Sequence, residues 1–86
     1  MSTTTTKSKD WSAMGASAVT HCWWFIKPES FTNTKHPTIH HCADTASLHW
    51  MTGFERRKQN NVEAFMNGFT EEAKRQAIKH GWEVQS

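Results

Sequence analysis

The chain has a single leucine, Leu48, and no tyrosine. Leu, Ile, Val and Phe together make up twelve of its 86 residues, below the roughly 20% that accompanies intrinsic disorder. Disorder of that kind also needs a large net charge, and the formal value here is only +2. The expectation is a folded chain with a thin core, since Trp and Met supply part of the missing apolar area. No apolar run reaches the roughly 18 residues that a membrane-spanning helix needs. Two cysteines, Cys22 and Cys42, are too few for a disulfide-dense secreted scaffold. Residues 1–10 show no hydrophobic signal-peptide core, so a cytoplasmic location with reduced thiols is expected. Nucleotide-binding glycine loops and the H-E-x-x-H metal motif are absent. A chain this short is also poorly suited to enclosing a substrate pocket of typical size. The sequence therefore points away from an enzyme and implies no cofactor.

What is present in excess is tryptophan, with five copies. Trp and Arg are common anchors of protein interfaces. Residues 1–10 (MSTTTTKSKD) are a polar low-complexity tail, too poor in apolar groups to offset the entropy of ordering. A disordered tail at 1–10 and one small domain at 11–86 are expected.

Residues 18–27 (AVTHCWWFIK) are β-branched and aromatic and end at Pro28, which reads as a strand. Alternation along it puts Trp23 and Trp24 on opposite faces. Residues 28–37 read as a proline-bracketed loop and 38–43 (TIHHCA) as a second strand. Pairing across that loop would set Cys22 opposite Cys42 and Trp24 opposite His40. Residues 45–57 fit two spacings: Leu48, Met51 and Glu55 share a helical face, while Leu48, Trp50, Thr52 and Phe54 alternate, and Thr52 with Gly53 tilts the reading toward a third strand at 47–55. Residues 61–80 give the clearest signal. Val62, Phe65, Met66, Phe69, Ala73 and Ala77 share one helical face, with Asn61 as a cap, Gly81 as the stop and a break conceivable at 68–70. The fold class expected is α+β: an antiparallel sheet of about three strands packed on one C-terminal amphipathic helix.

Three constellations suggest function. Cys22, His40 and Cys42 are metal-capable groups that the hairpin would bring to one side, although the spacing matches no zinc motif and buried thiols with surface imidazoles fit better. Arg56, Arg57 and Lys58 form a basic run suited to phosphate or acidic partners, with Trp50 and Phe54 nearby for stacking. Trp23, Trp24 and Trp50 exceed what a one-sided core can hide. The leading expectation is a non-catalytic protein that binds a protein target through Trp23, Trp24, Trp50, Arg56, Arg57 and Lys58. Such a chain would block a surface sterically, as small viral or mobile-element inhibitors of host proteins do. A nucleic-acid-binding regulator and a zinc-stapled module are the alternatives, and self-association as a homodimer is compatible with all three.

Overall fold

The computed structural model describes residues 10–32 and 38–84. Among them are four α-helices and two single turns of 3₁₀ helix, with no strand. The expected α+β fold with a three-stranded sheet is overturned. The helices are α1 (Trp11–Cys22), α2 (Glu29–Thr32), α3 (Ile39–Trp50) and α4 (Gln59–Lys79). No helix among the described residues is long and apolar enough to cross a membrane.

The stretch read as the first strand is the second half of α1 and the turn that follows it. Asp10 starts the helix, its carboxylate accepting from Ala13 N–H at 3.1 Å, a side-chain cap that satisfies one of the free donors of the first turn. The buried face is Gly15, Ala18, Val19 and Cys22, spaced i, i+3, i+4 and i+7. Three of those four are small or a thiol, so a search for bulky apolar periodicity passes over them. Trp23–Phe25 then form a 3₁₀ turn, and the two indoles do not alternate across a sheet. The tail assigned to residues 1–10 lies outside the described residues at 1–9, while Asp10 belongs to α1 as its cap. Residues 33–37 of the expected loop also lie outside them, and its first part holds α2.

The expected second strand, 38–43, is the start of α3. Thr38 caps it by accepting from His41 N–H at 3.2 Å, and Cys42, Ala43, Ala46 and Ser47 are buried. The expected third strand, 47–55, is the end of α3 and the turn beyond it. No hairpin sets Trp24 against His40; both are exposed.

The helix expected over 61–80 is present and begins two residues earlier. Val62, Phe65, Phe69, Ala73 and Ala77 are buried, and Met66 packs half-buried beside them. The helix is unbroken through 68–70. Asn61 is not its cap; the Asn61 side chain donates to the Glu55 carbonyl at 3.3 Å. Gly81 ends the element with φ +83°, where an L side chain is strained. Trp82 N–H reaches the Ala77 carbonyl at 2.9 Å and Gly81 N–H the Ile78 carbonyl at 3.0 Å, the paired bonds of a Schellman stop. Trp82 and Val84 then fold back as a tail against the core.

The centre of the molecule is the α1–α4 crossing. A Cβ on Gly15 would collide with the Phe65 carbonyl, and one on Gly68 with the Ser12 carbonyl. The two backbones thus touch directly. Phe65 and Phe69, both fully buried, flank that contact with ring centroids 6.5 Å apart. Beyond the C-terminal end of α4, Trp23 stacks on Trp82 at 5.1 Å and 20°, and Phe31 meets Trp82 at 6.1 Å. This aromatic stack provides bulk where leucine is missing.

Candidate functional site

The turn between α3 and α4 is built first from local hydrogen bonds. Thr52 and Glu55 form a reciprocal box. Thr52 N–H donates to Glu55 Oε1 at 2.9 Å, and Glu55 N–H to Thr52 Oγ1 at 3.0 Å. The sequence signal is a Thr and a Glu three residues apart, and it marks the 3₁₀ turn Glu55–Arg57 where a strand was expected. Arg56 N–H bonds the Thr52 carbonyl at 3.0 Å, and Arg57 N–H the Phe54 carbonyl at 3.2 Å. The turn is fastened to α3 by Arg56. Its Nε donates to Ser47 Oγ at 3.4 Å, and its guanidinium lies 3.7 Å from Asp44. Ser47 is itself fully buried and donates to the Asp44 carbonyl at 2.7 Å.

Phe54 sits inside this clamped turn yet is 75% exposed. Arg57 and Lys58 follow it, both exposed. Four residues before Phe54 is Trp50, 38% exposed, whose ring meets His21 at 5.3 Å and whose side chain hydrogen-bonds Cys22. Trp50 therefore lies against the C-terminal end of α1. Trp24, two residues past that end, is 77% exposed and makes an edge contact with Phe25 at 5.1 Å. Trp50 thus borders the end of α1 and Trp24 is displayed just beyond it, while Phe54, Arg57 and Lys58 are displayed on the turn that leads into α4.

Two residues expected at this surface are engaged elsewhere. Trp23 is half-buried in the stack with Trp82 and His80, where it serves the fold. Arg56 is held by Asp44 and Ser47, leaving Arg57 and Lys58 as the exposed cations of the run.

Of the metal-capable residues, Cys22 and Cys42 come near enough to interact across α1 and α3, but His40 does not join them. Cys22 and Cys42 are both buried and unbridged, while His40 is exposed and lines a groove of about 570 Å³ between α3 and α4. Among the described residues, no three His, Cys, Asp or Glu side chains converge where they could hold a metal ion. Burial pushes both thiols above their ordinary range, opposed at Cys22 by the Trp50 hydrogen bond and at Cys42 by Ser30. Cys42 Sγ and Ser30 Oγ are 3.9 Å apart. A nucleophilic cysteine requires the opposite shift, toward thiolate.

Comparison with known proteins adds no relative. No family model matches the chain. No curated protein matches it. No solved structure matches it.

Proposed function

We propose that this chain is a non-catalytic interaction protein that occupies the surface of a protein partner and acts by steric exclusion. The observation that carries the reading is the clamped, outward display of Phe54. A reciprocal side-chain box, backbone bonds and an arginine tether fix the turn, yet its largest side chain stays in water and adds nothing to the core. Fixing an apolar anchor before binding lowers the entropy lost on association. Arg57 and Lys58, exposed on the same turn, supply charge beside it, and Trp24 offers a second exposed apolar side chain past the end of α1.

Burying one large apolar side chain contributes about 1.5–3 kcal/mol, and aromatic anchors at interface centres reach about 2 kcal/mol or more on truncation. Phe54→Ala should therefore weaken the partner's affinity by about thirtyfold while leaving the circular dichroism and denaturation midpoint unchanged. The test is a quantitative pull-down from the native host with wild type, Phe54→Ala and Trp24→Ala. A protein captured by the wild type and lost with both folded variants supports the reading. Equal capture by all three forms, or turnover of a small substrate by the purified chain, refutes it.

A further inference from the structure

The distribution of charge around Phe54 identifies the kind of partner surface, an inference that rests on the interaction role just proposed. From Thr45 to Val62 the only acidic residue is Glu55, and its carboxylate already accepts from the Thr52 backbone. Asp44, the nearest acid on α3, is occupied by Arg56. Arg57 and Lys58 therefore border Phe54 with Glu55 as the one acid of the turn, which leaves an excess of positive charge once Arg56 is set against Asp44. The remaining acids of α4, Glu63, Glu71 and Glu72, lie farther along the helix, and Glu72 is paired with Arg75 at 2.7 Å.

We propose that the exposed turn Phe54–Lys58 docks on an acidic protein surface that has an apolar cleft for Phe54. Two other occupants fit less well. In a two-fold dimer the same patch would meet itself, and Arg57 and Lys58 would oppose their own copies. Single-stranded nucleic acid is held in a cationic groove that tracks many phosphates. Here two adjacent cations are displayed, Arg56 is paired with Asp44, and the helix that continues from the turn carries glutamates. An acidic protein patch needs only a few opposite charges around an apolar centre.

The test uses the full chain, immobilised, against a display library of random 12-residue peptides. The expected result is enrichment of peptides that combine net negative charge with large apolar residues. A selected peptide should bind about tenfold more weakly to the double variant Arg57→Glu/Lys58→Glu, and more weakly still to Phe54→Ala. Selection on the charge-reversed variant should enrich basic peptides instead. All substituted side chains are exposed, and matching circular dichroism spectra verify that each variant is folded.

The outcomes separate the two levels of the proposal. Enriched peptides that depend on Phe54 but carry no acidic bias, and ignore the charge reversal, overturn the acidic partner and leave the interaction role standing. An absence of enrichment, or binding indifferent to Phe54 and Trp24, overturns both. Tighter binding of a 20-nucleotide single-stranded DNA or RNA, abolished by the same substitutions, replaces the protein partner with nucleic acid. A dimer in light scattering that Phe54→Ala converts to monomer assigns the patch to self-association and overturns the acidic partner.

Discussion

Gly15→Ala should reverse the usual sign of a helical glycine substitution. In a helix interior, alanine is normally better than glycine by roughly 0.5–1 kcal/mol, because it restricts the unfolded chain. At Gly15 the added Cβ would overlap the Phe65 carbonyl oxygen and lie 2.9 Å from the Phe65 carbonyl carbon and 3.0 Å from the Phe69 nitrogen. These are backbone atoms of a helix and cannot rotate aside. α1 must retreat from α4, loosening Ala18 and Val19 in the same core as Phe65 and Phe69. Overpacking of this kind costs about 1–3 kcal/mol, and the lost contacts put Gly15→Ala toward its upper end. After subtracting the intrinsic gain, the net loss should be about 2 kcal/mol. A domain of this size has a total of only about 3–5 kcal/mol from its core, so the variant should be close to unfolding. Urea titration followed by circular dichroism at 222 nm reads the effect. With a slope near 1 kcal/mol per molar for a small domain, the midpoint should fall by about 2 M. Gly68→Ala should behave alike, because its Cβ would strike Ser12. The double variant should cost less than the sum, since one retreat relieves both clashes. Gly53, with open space around its missing Cβ, is the control, and Gly53→Ala should stay within about 0.5 kcal/mol. A Gly15→Ala protein as stable as wild type, or more so, would refute direct backbone contact at the crossing.

Gly81→Ala should cost about 1 kcal/mol through its positive φ alone, visible as a lower thermal midpoint, with Gly81→Asn recovering part of it. The two buried thiols should make stability fall at alkaline pH. Both have folded pKa values raised by burial, so their contribution is intact below the ordinary thiol range near pH 8.5 and declines as pH rises through it and on through the higher folded values, because the unfolded chain releases its thiol protons first. Denaturation midpoints from pH 7 to 10 check this, and a Cys22→Ala/Cys42→Ala variant should lose the alkaline slope whatever its baseline stability.

The parts of the fold that were legible share one property: their core faces are large and apolar. Val62, Phe65, Met66 and Phe69 announce α4 by spacing alone, and Gly81 announces its end. The faces of α1 and α3 are made of Gly15, Ala18, Ala43, Ala46, Ser47 and the two cysteines. These residues carry little hydrophobic signal, and at Gly15 the role is to let the α4 backbone approach, which is a tertiary fact. The strong β-formers Val19, Trp23, Phe25 and Ile26 crowd the end of α1 and dominate local propensity there. Helix caps at Asp10 and Thr38 carry the opposing information, and an Asp or Thr ahead of weakly patterned residues is easily passed over. At the candidate surface, the basic run and Trp24 and Trp50 were visible in the sequence. The capture of Arg56 by Asp44 and of Trp23 by Trp82 was not, because both pairings cross between elements.

The shortage of leucine follows from the same geometry. Where Gly15 and Gly68 meet the facing backbone no space remains for a side chain, so the core there is filled by Val19, Phe65 and Phe69 beside the contact, and further bulk lies at the ends of the helices. There the tryptophans divide into two groups by what they touch. Trp23 and Trp82 stack on each other, so removing either opens a void in a small core. Trp24 is mostly in water and among the described aromatic rings meets Phe25 edge-on, so its removal opens none. Phe54 is in the same position on a turn that hydrogen bonds hold without it. Apolar side chains that the fold can lose without penalty, displayed on a fastened turn beside cations or past a helix end, are those whose presence the proposed partner would account for.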